Sequence, residues 1–335
     1  MKKFLLTIAA LLPCLLSHSQ ELKFVPRLEA SPVFSVGGAE HDFSFPNILG
    51  ETSLYSFFEG DISEHFSFLL CNHWLSTDPA GLYKDSFFYS NKNNWVDFLY
   101  FTYTTGWFSL TLGKDVMHIG GWEYDPYDVY CHSALMSSQW NGVPVYQWGA
   151  SMAFELPWED NSIDVQMVSS PYGERTFASG LFAWSLRWNG SIGPWSPIWS
   201  VAVVQNDILN RGSIIPVVDI SNRFGMGDNF RLDLSYRYGV GGDGEEHPLF
   251  APGHAGLAEL NFTDNNEKVD VFAKGIYEYD AIRGHNWIAG GGIHWYPLNN
   301  SRNLRVYASA GWRSLEQTVT ASVGLSYDLC FKLWK

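Results

Sequence analysis

Thr318-Val319-Thr320-Ala321-Ser322-Val323-Gly324-Leu325-Ser326-Tyr327-Asp328-Leu329 is the stretch that decides the fold. Its even positions are small or polar and its odd positions are all apolar. Successive side chains of a strand point to opposite faces, so this segment reads as a strand with one wet and one greasy side. The same period runs from Phe230 to Gly239. There Phe230, Leu232, Leu234, Tyr236 and Tyr238 oppose Arg231, Asp233, Ser235, Arg237 and Gly239. Val269, Val271, Ala273, Gly275 and Tyr277 oppose Lys268, Asp270, Lys274 and Glu278. Leu304, Val306, Ala308, Ala310 and Trp312 oppose Arg305, Ser309 and Arg313. Such runs recur along the chain at about ten residues each, the length of a tilted strand crossing a bilayer. No helix-length period of 3.6 residues competes with them.

Working outward, the connections alternate in length. Short ones lie at 63–64, 105–106, 156–161, 225–228, 264–267 and 299–303; longer ones span 75–94, 113–144 and 240–254. Short turns on one side and long loops on the other are the layout of an outer-membrane barrel. The segments number about 16, give or take two, since Val33, Tyr55, Val96 and Trp199 sit in weakly patterned stretches. Trp74, Trp95, Trp107, Trp148, Trp188, Trp287, Trp295 and Trp312 fall near strand ends, as interfacial girdles require. The composition agrees. Of 335 residues, 16% are aromatic, only 17% are charged, and 31 are Gly. The formal charge of −14 argues against a nucleic-acid partner, which would need a basic face.

Lys2 and Lys3 precede the short apolar run Phe4 to Leu12, and Ser17-His18-Ser19 supplies small residues for cleavage. Residues 1–19 therefore read as a signal peptide and 20–335 as one domain. Cys14 raises a lipoprotein reading that Pro13 and Leu15-Leu16 oppose. Beyond Ser19 no apolar window is long enough for a membrane helix, so an exported chain is left with the periplasm, the medium, or a membrane crossed by strands.

A soluble β-sandwich also alternates. The girdle residues, the unequal turn sides and the final aromatic-bearing strand around Trp334 favour a closed transmembrane antiparallel β-barrel. In lipid an open sheet edge would strand its amides, so the sheet must close. A lipid-facing Arg near the midplane would cost about 2–4 kcal/mol, which assigns the face of Arg231 and Arg237 to the lumen. The expected pore-lining set is Arg187, Arg223, Arg231, Asp233, Arg237, Lys274, Arg305 and Arg313. About sixteen strands leave an aqueous channel.

The largest insertion is 113–144. Its aromatics favour order, and the lumen is where it has room to pack. Leu112-Gly113-Lys114, then Gly120-Gly121-Trp122-Glu123-Tyr124-Asp125, Trp140-Asn141 and Tyr146-Gln147-Trp148-Gly149 resemble Gram-negative outer-membrane porins, the phosphate-selective porin O and P type and its uncharacterised relatives above all. The resemblance covers this loop and its flanking strands. It implies a 16-stranded barrel, often trimeric, with the third loop folded inward as a constriction. Phosphate-selective members carry a ladder of basic residues; here the candidates are spread over several strands of an acidic chain, so phosphate specificity does not carry over.

The constriction residues are expected to be Trp122, Glu123, Tyr124, Asp125, Tyr127 and Asp128. Their acids would favour cations, and facing basic wall residues would set up a transverse field. Their rings, with Tyr130, either stack on sugars or pack the loop on the wall. Ca²⁺ binding by the three acids is a weaker alternative, given their irregular spacing.

Cys71, Cys131 and Cys330 are odd in number, so at least one is free; a Cys71–Cys131 bridge is open, with unpaired thiols preferred. His132 adjoins Ser133, but adjacency in sequence is not a nucleophile–base geometry, and His65, His73 and His294 show no Ser partner pattern for a barrel hydrolase. Gly290-Gly291-Gly292 reads as a bend or close backbone approach. Neither cofactor nor metal is expected. The function that fits is passive diffusion of small hydrophilic solutes or ions across the outer membrane. A barrel hydrolase and a secreted glycan-binding sandwich are the alternatives.

Overall fold

The computed structural model describes residues 21–30, 33–37, 43–44, 53–73, 96–123, 135–137, 145–158, 160–173, 179–206, 213–241, 251–280, 283–299 and 301–334. Its strands are β1 (Glu21–Ala30), β2 (Val33–Gly37), β3 (Phe43–Ser44), β4 (Ser53–Asp61), β5 (Phe66–His73), β6 (Val96–Thr104), β7 (Phe108–Val116), β8 (Tyr146–Glu155), β9 (Ser162–Ser169) and β10 (Phe182–Asn189). They continue as β11 (Trp195–Asn206), β12 (Ser213–Met226), β13 (Phe230–Gly241), β14 (Ala251–Thr263), β15 (Val269–Asp280), β16 (Gly284–Trp295), β17 (Leu304–Arg313), β18 (Thr318–Asp328) and β19 (Phe331–Trp334).

Each strand pairs antiparallel with its neighbours in one sheet. β1 lies along both β18 and β19, with Arg27 opposite Asp328 and Phe24 opposite Phe331, and this contact closes the cylinder. β1 and β2 run together against β18 and β19, and β3 and β4 likewise form one stave. The barrel therefore has sixteen staves, within the range the sequence allows. Closure satisfies every ladder without an edge, which the hydrocarbon demands.

Alternation follows the sequence reading. Along β15, Asp270, Phe272, Lys274, Ile276, Glu278 and Asp280 turn inward, while Val271, Ala273, Gly275, Tyr277 and Tyr279 face out. The outer band carries exposed Leu186, Val201, Leu234, Val271 and Val323. Aromatic pairs rim it. Phe230–Phe262 and Trp188–Trp199 ring one end at 5.1 and 5.2 Å, and Tyr277–Trp287 marks the other at 4.6 Å. Trp107, Trp287, Trp295 and Trp312 are exposed on this outer surface; Trp74 and Trp95 lie outside the described residues.

The turns at 62–65, 105–107, 156–161, 227–229 and 264–268 share one end with Glu21 and Trp334, the first and last described residues, since Glu21 pairs with Asp61 and Leu22 with Trp334. The strand ends that flank 74–95, 117–145, 170–181, 207–212, 242–250, 281–283 and 314–317 share the other end. Two boundaries differ from the sequence reading. Gly113–Val116 extend β7, and β13 and β14 reach Gly241 and Ala251, so both loops are shorter than expected. Polar and glycine-rich strand ends resemble loop when only composition is visible.

Candidate functional site

All eight residues expected to line the pore occupy inward-facing positions of their strands, seven of them as members of ion pairs and not as a bare ladder. Asp219 and Arg237 stand directly opposite in the β12–β13 register, with Nε to Oδ2 at 3.1 Å. Arg223 and Asp233, opposite in the same hairpin, form a bidentate pair at 2.8 Å twice. Arg187 grips Asp164 across β9–β10 at 2.7 and 3.0 Å. Lys274 lies between Glu259, its β14 partner at 3.7 Å, and Glu123 of the loop at 3.8 Å. Arg305 reaches Glu29 at 3.6 Å, and Arg313 donates to the Met136 carbonyl at 3.0 Å. Opposite charges directly across a ladder stabilise each other and remove most of the field they would otherwise cast. Arg187, Arg223 and Arg237 thus each have a carboxylate on the adjacent strand, Arg305 has Glu29 of β1, Arg231 shares Asp233 with Arg223, and Arg313 has the Met136 carbonyl.

The described residues 117–123 of the loop after β7 lie against the inner wall of the barrel. Met117 and Ile119 bury against Val168, Ala183, Ala202, Val204, Ile215 and Val217, which point inward from β9 to β12. Polar bonds fix the same stretch: His118 N to Gln166 Oε1 (2.8 Å), Gly120 N to Ser200 Oγ (3.1 Å), and Trp122 Nε1 to the Ser196 carbonyl (2.8 Å). Gly121 passes so close to Ser221 that a Cβ there would lie 2.1 Å from its side chain. The guanidinium of Arg223 stacks on the Trp122 ring at 3.7 Å.

A second loop segment, Leu135–Ser137, docks through Leu135 on the β14–β17 wall, while its Met136 joins the first cluster. Leu135 is fully buried among Leu257, Phe272, Ile276, Ile288 and Tyr307. Gly290 makes the room, because a Cβ there would meet Leu135 Cδ2 at 2.8 Å and the Ala310 carbonyl at 2.1 Å. The expected close approach at Gly290-Gly291-Gly292 is present: Gly290 seats Leu135, and Gly291 and Gly292 lie against Phe272 of the neighbouring strand. Glu123 ties the two segments together by accepting from Ser137 N (2.7 Å) and Ser137 Oγ (2.9 Å). The described loop residues thus touch both the β9–β12 wall and the β14–β17 wall. Tyr124, Asp125, Tyr127 and Asp128 lie outside the described residues, as do Cys131 and His132.

Beneath the loop, toward the short turns, a cavity of about 210 Å³ opens. Trp122, Arg231, Asp233, Asp270, Phe272 and Arg302 are among its walls. Arg302 stacks on Tyr296 at 3.9 Å and pairs with Asp270. His118, on the loop, is held neutral: burial, helped by Arg187, lowers its pKa to about 3, against the pull of Asp164 at 3.9 Å.

Of the other residues singled out, His294 is buried on the inner face beside Phe272 and Tyr307, and His65 sits in an exposed turn next to Glu64. Cys71 is a buried free thiol and Cys330 an exposed one. What the sequence reading missed is the inward-facing apolar wall. Its signal was the loss of alternation in Val201-Ala202-Val203-Val204 and Ile214-Ile215-Pro216-Val217-Val218.

No protein-family model matches the chain, and no curated protein matches it in sequence. Solved structures do. OmpF of Salmonella typhi in complex with daunomycin is similar over 93% of this chain and 99% of its own, at TM-score 0.66 and 10% identity. The anion-selective porin from Comamonas acidovorans covers 92% and 99% at TM-score 0.62 and 9% identity. In vitro-folded OmpT of Vibrio cholerae, an outer-membrane protein in its trimer form, covers 92% and 99% at TM-score 0.56 and 10% identity. The fold of this chain is that of Gram-negative outer-membrane porins.

Proposed function

We propose that the chain is an outer-membrane porin through which small hydrophilic solutes diffuse passively. In this reading it is exported by residues 1–19 and narrowed by its third loop. The observation that carries the reading is the loop pinned to both walls of a closed, polar-lined cylinder: Met117–Trp122 on one side, Leu135 on the other. A barrel of this girth without such a strut would be a wide, unselective hole. With it, passage is confined to the space left beside Trp122 and Glu123 and between the paired wall charges. Solute size and the few charges not fully compensated then set selectivity. No chemical step and no cofactor is needed. Assembly as a homotrimer belongs to the same reading and is tested by cross-linking in detergent.

Purified protein in planar bilayers is expected to give discrete conductance steps. Silence at every voltage and salt concentration rejects the proposal.

A further inference from the structure

The outer face of the barrel, at the end of the long connections, carries one arrangement of side chains twice. In the β13–β14 hairpin Tyr238 stands directly opposite His254, and in β15–β16 Tyr279 stands directly opposite His285. Their ring centroids lie 5.2 and 4.9 Å apart. In each hairpin the next tyrosine toward the middle of the barrel brings its hydroxyl to the histidine Nδ1, at 2.7 Å for Tyr236–His254 and 2.6 Å for Tyr277–His285. All six side chains point away from the lumen, since Arg237, Ala255, Glu278 and Asn286, which alternate with them, are buried on the inner face. A phenol is the better proton donor and an imidazole nitrogen the better acceptor, so each hydroxyl donates to Nδ1 and the hydrogen of the neutral ring sits on Nε2. A protonated ring carries a hydrogen there as well. In either state Nε2–H is a donor turned outward, and among the described residues neither histidine has a second hydrogen bond or an ion pair. The girdle at the other end differs: there the indole N–H groups of Trp195 and Trp199 are both spent on Asn222 Oδ1.

We propose that this rim docks a phosphorylated lipid of the surrounding leaflet, its phosphate oxygens accepting from the outward Nε2–H donors of His254 and His285. The acyl chain has a place as well. The register sets Gly256 between Tyr236 and Tyr277, and a Cβ on Gly256 would meet nothing within 4 Å. The two tyrosine backbones stand two strand spacings, or roughly 10 Å, apart. The opening between their rings continues over Ala258 and Gly275, which face each other across β14–β15. Donors without a matching acceptor suit a headgroup that only accepts, and hydrogen bonds to an anion are the stronger kind where the dielectric is low. An ammonium headgroup would meet two N–H donors of the wrong polarity, and a hydroxylated one would keep its own donors unanswered. The site needs a barrel bathed in lipid and not the passage of any solute, so it goes beyond the porin reading.

The test titrates the folded full barrel in dodecyl maltoside micelles with dodecyl phosphate and counts the bound amphiphile by native mass spectrometry. Its comparators are dodecanol, which lacks the phosphate, dodecyltrimethylammonium, which reverses the charge, and inorganic phosphate, which lacks the chain. Dodecyl phosphate is expected to bind saturably, and each comparator to need about tenfold or more concentration for the same occupancy. His254→Phe combined with His285→Phe keeps the rings and removes the donors; it is expected to raise the half-saturating concentration about tenfold. His65→Phe, in an exposed turn at the opposite end, is expected to leave it unchanged. If the double histidine variant does not fold, Tyr236→Phe with Tyr277→Phe, which frees Nδ1 and lets the ring hydrogen move, is expected to weaken binding several-fold. Unchanged binding by the folded variant, or binding of dodecanol or dodecyltrimethylammonium in the same range, overturns the proposal. Inorganic phosphate binding as tightly as dodecyl phosphate marks a site for the free anion and overturns the lipid assignment.

Discussion

Replacing Leu135 by Ala removes the side chain on which the distal loop segment is seated. Leu135 is fully buried among Leu257, Phe272, Ile276, Ile288 and Tyr307, and Gly290 leaves the wall beneath it open. Truncating a buried Leu costs about 2–5 kcal/mol, the upper part of the range applying where the surroundings cannot collapse into the gap. Here they cannot, because the seat is made of ladder-bonded strands. The barrel itself loses little, since those strands stay paired. The loss falls on the equilibrium between seated and detached loop, which besides Leu135 rests on the buried Met136 side chain, Arg313 to Met136 O and Ser137 to Glu123. That equilibrium shifts roughly thirty- to four-thousand-fold toward detachment. The assay is single-channel recording in planar bilayers. The variant is expected to show a larger mean conductance and greater open-channel noise, while Leu186→Ala on the lipid face leaves the trace unchanged. A Leu135→Ala trace indistinguishable from the parent would refute the claim that this segment holds the loop across the lumen.

Three other outcomes follow from the same geometry. Asp233→Asn takes away the carboxylate shared by Arg223 and Arg231, so the lumen gains one positive charge and the reversal potential in a salt gradient moves toward anions; an unmoved potential contradicts the pairing. His118 stays neutral in the seated loop down to about pH 3, whereas a released loop protonates near the ordinary value of 6.5. Seating is therefore full above about pH 6.5 and weakens as pH falls toward 3, so current noise should rise on acidification, and His118→Gln should abolish that rise. Leu234→Arg, on the lipid face of β13, should cost about 2–4 kcal/mol in folding titrations into vesicles if it lies near the midplane, and a neutral result would place that face elsewhere.

The barrel was legible because lipid and water impose opposite demands on alternate residues: Arg231 and Arg237 could only turn inward once Leu232 and Tyr236 turned outward. Their partners were harder to see. A face is a local property, but an ion pair such as Glu29–Arg305 joins the two ends of the chain, and no local pattern announces it. Within hairpins the information was present. Pairing across the turn at 227–229 makes Met226 oppose Phe230, and counting back sets Arg223 against Asp233 and Asp219 against Arg237. The loop boundary failed for another reason. Gly113, opposite Gly149, looks like loop, yet it continues the β7–β8 ladder.

The two departures from alternation share one cause. A strand that crosses lipid with water on its inner side keeps a polar inner face; where something dry lies against that face, the polarity is no longer required. Val204, Ile215 and Val217 are apolar inward because Met117 and Ile119 rest on them, and Ile276 and Ile288 because Leu135 does. The places where the pattern breaks therefore trace the footprint of the loop on the two walls. The charged residues between those footprints, Asp219 with Arg237 and Lys274 with Glu259, mark the inner face that stays polar between them. In the proposed channel, selectivity would be decided by the small remainder after pairing, such as Arg231 with its shared carboxylate, more than by the overall charge of −14. For that reason a single isosteric change at Asp233 is expected to move ion preference more than removal of an acid outside the lumen.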